Sequence, residues 1–127
     1  MINIGLAPSP TGLDLSYYRI LSDQDPNLAL AGLRMEVETM LKNLAKGFKI
    51  KINEKDSVGI IMLTLKDNGA ITSRQADFIS IVINLCNAAV HGIKVASSQA
   101  KEIIDIAEIL RDDYMAWLSW GFPEVKL

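Results

Sequence analysis

TSRQADFISIVINLCNAAVHG, residues 72–92, is the stretch on which the fold turns. Drawn as a helix, it places Phe78, Ile81, Val82, Leu85 and Ala89 on one face and Ile79, Ile83, Cys86 and Val90 on another. A helix on the surface of a monomer carries a wide polar face, whereas this one is apolar nearly all round. The pattern predicts burial, either at the centre of a helical bundle or across a subunit interface. Its polar residues are ordered too. Ser73, Asp77, Ser80, Asn84, Asn87 and His91 recur at steps of four, three, four, three and four, which stacks them along one narrow line. Thr72 or Ser73 is suited to cap the start, and Gly92 to take the left-handed conformation that ends it.

Working outward, Asp25 and Pro26 announce an earlier long helix, because Asp25 can accept from free amides and Pro26 lacks only an N–H that has no helical partner. Leu30, Leu33, Val37, Met40, Leu41 and Leu44 then form one apolar stripe, with Gly47 as the expected stop. Arg34, Glu36, Glu38 and Lys42 stay off that stripe, and Arg34 with Glu38 reads as a pair one turn apart. A shorter helix, capped by Asp56 or Ser57, runs through Leu65 to the breaker Asp67-Asn68-Gly69. Ser97 or Ser98 starts the last helix, where Ala100, Ile103, Ala107, Leu110, Tyr114 and Trp117 form the inner stripe. Four main helices with short links predict an all-α, antiparallel bundle of four to five helices. Residues 1–24, with Pro8, Pro10 and Gly12, read as an N-terminal arm over the bundle surface containing a short helix near 14–21. Residues 25–120 are the helical domain and 121–127 a C-terminal tail.

Composition narrows the function classes. A chain of 127 residues, half hydrophobic and 22% charged with a net charge of -2, is long enough for its own core and is not globally basic. Cys86 stands alone, so no intramolecular disulfide exists, and no His/Cys cluster has zinc spacing. No cofactor or metal is expected. The start of the chain lacks a basic segment followed by an apolar core, and the longest apolar stretch, 58–65, falls far short of the roughly 20 residues that cross a bilayer. The expectation is a cytoplasmic protein that meets no membrane. Locally, Lys42, Lys46, Lys49, Lys51 and Lys55 gather around an alternating, extended segment, 48–52. They read either as a solvated loop or as a patch for a polyanion.

The polar line also admits two readings. It is the solvent edge of a half-buried helix, with His91 favourable beside the negative helix end, or it is the wall of a groove. In the second reading Ser80, Asn84, Asn87 and His91 bind a ligand. Asn87 offers an amide and His91, the single histidine, an imidazole that can carry protons near neutral pH. Asn87 and His91 are thereby the catalytic candidates, but a nucleophile and a carboxylate to orient the imidazole are missing from the pattern.

The run Asn84-Leu85-Cys86-Asn87-Ala88-Ala89-Val90-His91-Gly92, with Asp25-Pro26-Asn27-Leu28-Ala29-Leu30-Ala31-Gly32-Leu33-Arg34 upstream, resembles the HEPN superfamily, and within it a bacterial branch of uncharacterised HEPN-like domains. The resemblance covers roughly residues 20 to 118. It implies a bundle of four or five helices that forms a homodimer through a twofold interface. Active HEPN ribonucleases pair an Arg with a His after four to six intervening residues, and two such motifs meet in a dimer cleft to cut RNA without metal. There the His moves protons around the ribose 2′-hydroxyl and the Arg steadies the phosphate. Here the positions with those spacings before His91 hold Cys86, Leu85 and Asn84, none of them cationic. The expectation is therefore a non-catalytic dimerisation, interaction or ligand-binding domain with a protein partner. The alternative is a metal-independent endoribonuclease of a toxin or defence system, in which another cation replaces the Arg and RNA is the partner.

Overall fold

In a computed structural model, residues 15–120 are described, with side chains described through Tyr114. Five α-helices and no strands occur among them: α1 Ser16–Gln24, α2 Pro26–Gly47, α3 Val58–Asp67, α4 Ser73–Val90 and α5 Ser97–Trp120. The predicted all-α bundle is present. Trp117, the segments 1–14 and 121–127, and the expectations attached to them lie outside the described side chains.

The starts of α2, α3 and α4 are each capped by a side chain of the sequence. The Asp25 carboxylate accepts from Leu28 N at 3.1 Å with Pro26 at the first helical position, and Ser57 Oγ accepts from Ile60 N at 3.3 Å. At α4, Thr72 Oγ1 accepts from Gln75 N at 3.0 Å while Gln75 Oε1 accepts from Thr72 N at 2.9 Å, a reciprocal pair that satisfies two free amides. Three helices end alike, with a left-handed residue and an amide that reaches back five positions. Gly69 (φ 77) precedes Ala70 N, which donates to Leu65 O, and Gly92 (φ 91) precedes Ile93 N, which donates to Ala88 O. In α2 the same motif uses Lys49 (φ 59), with Ile50 N donating to Ala45 O at 2.8 Å. Gly47, the expected stop, is instead the last helical residue. The segment beyond it is a loop whose Ile50 and Ile52 pack against the core, not a strand.

Side-chain bonds fix the directions of the helices. Asn27 meets Ala89 O while Arg34 meets Asn87, and Gln75 meets Asp113, so α4 runs antiparallel to both α2 and α5. The apolar stripes read from sequence close the core. Leu30, Leu33, Leu41, Ile79, Val82, Cys86, Ala100 and Ile104 are essentially inaccessible. The helix expected near 14–21 begins at Ser16 and runs to Gln24, and it is a working part of the bundle: Leu15, Tyr18 and Ser22 are buried. Arg19 pairs with Asp105 at 2.6 Å and with Glu108, Asp23 pairs with Lys101, and Ser97 Oγ donates to Ser22 O at 2.7 Å. Tyr18 also explains Gly32, since a Cβ there would lie 2.6 Å from Tyr18 Cε1. Beyond that contact the Tyr18 hydroxyl donates to Glu36 Oε1 at 3.2 Å. Glu36, expected on the outer face of α2, is 5% exposed because α1 covers it.

Candidate interaction site

The polar line of α4 lies where that helix meets α2 and α3, and it divides into two kinds of residue. Ser80 and Asn87 are half-buried and reach across: Ser80 Oγ donates to Met62 Sδ of α3 at 3.3 Å, and Asn87 Oδ1 accepts from Arg34 Nε of α2 at 2.7 Å. Ser73, Asp77, Asn84 and His91 are exposed. The line is thus a solvent edge along most of its length and a packed polar contact at Ser80 and Asn87.

Arg34 is the cation that sequence spacing left unplaced. Its Nη1 lies 4.0 Å from Glu38 Oε1, the pair one turn apart, while its Nε is committed to Asn87. Glu38 is shared with Lys42, whose Nζ is 3.2 Å from Oε2. Arg34 therefore belongs to both helices, and no spacing within either one could reveal it.

His91 is the first residue after α4; its backbone N–H donates to Asn87 O at 3.0 Å, and its exposed side chain has no hydrogen-bond partner among the described residues. Nothing there orients the imidazole as a general base requires. What is held firmly is the loop behind it. Asn27 Nδ2 donates to Ala89 O at 3.1 Å and to Ile93 O at 2.7 Å, and Asn27 Oδ1 accepts from Val95 N at 3.1 Å. One amide thus ties the start of α2 to the turn that carries His91. The residue was visible beside Asp25-Pro26, but its role needs a partner more than sixty positions away.

Positions 84, 85 and 86, one to two turns before His91, differ in direction. Cys86 is fully buried against the core, Leu85 is half-buried and Asn84 is exposed on the side of α4 that His91 shares. Burial pushes the Cys86 thiol up to about 12, and the nearby Arg34 guanidinium, which favours the thiolate, offsets only part of this. The thiol is neutral and structural.

Acidic residues are interspersed among the lysines. Lys46, Lys49, Lys51 and Lys55 are exposed, but Lys51 and Lys55 share a shallow, open depression with Glu54 and Asp56, and Lys42 borders another with Ile52 and Glu54. Asp56 Oδ2 also accepts from Asn53 N at 3.0 Å, closing the loop on itself.

The helices that carry Arg34 and Asn87 also carry solvated apolar side chains. Leu28 and Met35, seven positions apart on the outer face of α2, are 55% and 67% exposed, and Ile81 and Val90 of α4 and Ile93 beyond it are also solvated. Among the described residues no helix is long and apolar enough to cross a membrane, and no three His, Cys, Asp or Glu side chains converge as metal ligands would. No protein-family model, curated protein or solved structure matches the chain.

Proposed function

We propose that this chain is a HEPN-like, non-catalytic module of a bacterial cytoplasmic protein, one that pairs with a second copy of itself through the outer faces of α2 and α4 and acts as an interaction or ligand-binding domain. The observation that carries the reading is that the two helices joined by Arg34 and Asn87 also carry solvated apolar side chains, Leu28 and Met35 on α2 and Ile81 and Val90 on α4, with Ile93 just beyond. Exposed apolar surface rimmed by polar residues is a mark of association sites. A twofold interface on this face is self-complementary, since each copy offers the same apolar flanks and the same polar strip. The absence of an orienting partner for His91 among the described residues supports binding over catalysis. Light scattering is the test: the expected mass is twice the 14.0 kDa of the chain, falling to one chain in Met35→Glu/Ile81→Glu. A wild-type monomer at micromolar concentration overturns the reading.

One observation favours a second reading, a metal-independent endoribonuclease. Arg34 brings a permanent cation to Asn87, one turn from His91, where a phosphate could meet both. It requires RNA cleavage in EDTA that His91→Ala abolishes with the fold intact. Equal survival of RNA with wild type and variant rules it out. RNA affinity that falls steeply with salt, and falls further when Lys46, Lys49, Lys51 and Lys55 are changed to Gln, is the corresponding test for the lysine patch.

A further inference from the structure

We propose that Glu36 makes the docking of α1 responsive to pH, with the helix held more tightly to the bundle when this carboxyl carries a proton. Three independent features meet at the residue. It is 5% exposed, Tyr18 Oη is the one hydrogen-bond partner of its side chain among the described residues, and Oε2 is buried with none among them. A carboxylate in such a place has lost its water and recovered a single hydrogen bond, whereas the neutral acid loses far less on burial. Accordingly burial raises the Glu36 carboxyl above its usual value, and the Tyr18 hydrogen bond, which favours the charged form, offsets only part of the effect.

Among the described residues, Tyr18 is the one group that modulates this burial effect. On α2 itself the positions one turn away are Gly32, Leu33, Thr39 and Met40, and the nearest charges, Arg34 and Glu38, are engaged with Asn87 and Lys42. From α1, Tyr17 meets Tyr18 edge-on and Arg19 is turned to Asp105 and Glu108. From α5, Tyr114 accepts from Asn43 Nδ2; from α4, the buried titratable group is the Cys86 thiol; on α3, Lys66 and Asp67 are exposed.

The site is also where α1 is anchored. This helix has 9 residues and buries Tyr18 and Ser22, with Leu15 just before it; its remaining ties to α5 include ion pairs between partly exposed groups, which contribute little. Opening α1 hydrates Glu36, so proton binding and docking are linked. Because the docked carboxyl titrates above the released one, the extra stability is fully present below the ordinary glutamate range and is lost as pH rises through the docked value. Docking therefore tightens on acidification.

Hydrogen-exchange protection of the α1 amides, corrected for intrinsic rates, tests this in the full chain from about pH 8 down to about pH 5, toward the ordinary glutamate range. In the wild type, protection of α1 rises several-fold on acidification relative to that of α4. In Glu36→Gln it is high and flat, because the amide mimics the neutral acid. Tyr18→Phe deletes the hydrogen bond that favours the carboxylate, so the rise begins at higher pH. Pre-existing flat protection in the wild type, or a pH dependence that Glu36→Gln retains, overturns the proposal.

Discussion

Arg34 on α2 and Asn87 on α4 stand 53 positions apart in the chain and 2.7 Å apart in space, Nε to Oδ1. The bond joins the two most extensively packed helices by a cation and a neutral amide. It leaves the rest of the guanidinium to face Glu38 and solvent. That geometry favours a structural and positioning role for Asn87, since its carbonyl oxygen is already occupied and half-buried.

A double-mutant cycle measures the bond. Arg34→Ala and Asn87→Ala are each expected to lower stability by about 1 to 2 kcal/mol in urea titrations, the range for a hydrogen bond to a charged group reduced for partial exposure. The coupling between them should be about 1 kcal/mol. Additive losses would mean that the contact contributes nothing of its own.

Asn27 should matter more than its place at a helix start suggests. Asn27→Ala removes one bond to Ala89 O, which keeps Gly92 N as a donor, and the side-chain partner of Ile93 O and Val95 N, and a loss of about 1 to 2 kcal/mol is expected, chiefly from the Val95 N–H that loses its acceptor. Asn27→Asp keeps an acceptor for Val95 N but sets a carboxylate against two carbonyl oxygens, so it should be no better tolerated. Exchange of the Val95 amide reports the change directly: protection equal to wild type in both variants would remove Asn27 from this role.

What was legible in the sequence was whatever repeats within one helix. The stripe from Leu30 to Leu44, the inner face of α5 and the Thr72 and Asp25 starts were all readable, because periodicity and capping are local. Glu36 was not. Its spacing places it off the stripe of α2, and it is buried only because a second helix, α1, covers that side. The same blindness affects Arg34, whose partner one turn along the helix was evident but whose partner on α4 was not. For the polar line of α4, spacing located the edge but could not separate Ser80 and Asn87, which cross to other helices, from Asn84 and His91, which face solvent.

Gly32→Ala is expected to destabilise although Ala is the better helix former. The added Cβ would sit 2.6 Å from Tyr18 Cε1, and Tyr18 is buried, so the ring cannot simply swing away. Overpacking of this kind costs about 1 to 3 kcal/mol, against a gain of about 1 kcal/mol in propensity, leaving a net loss of about 1 kcal/mol. Replacing Tyr18 with Leu should convert the same substitution into a gain. A stabilising Gly32→Ala in the wild-type background would refute the close approach.

Lys49 offers the opposite case. It holds a left-handed conformation at φ 59, which costs a residue with a Cβ about 1 kcal/mol, and its side chain is exposed. Lys49→Gly should therefore raise stability by about 0.5 to 1 kcal/mol, and Lys49→Val should lower it by more. Thermal midpoints in the order Gly, Lys, Val check the assignment, and any other order contradicts it.

Two arginine substitutions test the proposed endoribonuclease reading at the positions with four and six intervening residues before His91. Cys86→Arg forces a charge and a long side chain into a fully buried site, so loss of cooperative folding is expected rather than gain of function. Asn84→Arg places the same group on solvated surface near His91, with a stability change within about 0.5 kcal/mol of zero. Circular dichroism melts of the two variants decide the structural claim: a folded Cys86→Arg would show that α4 can turn or open at this point. With Asn84→Arg folded, RNA cleavage in EDTA that appears in this variant and vanishes on adding His91→Ala would mean that a cation was the missing part. Inertness of both the wild type and Asn84→Arg would count against the proposed endoribonuclease reading, in keeping with an imidazole at His91 that no described residue orients.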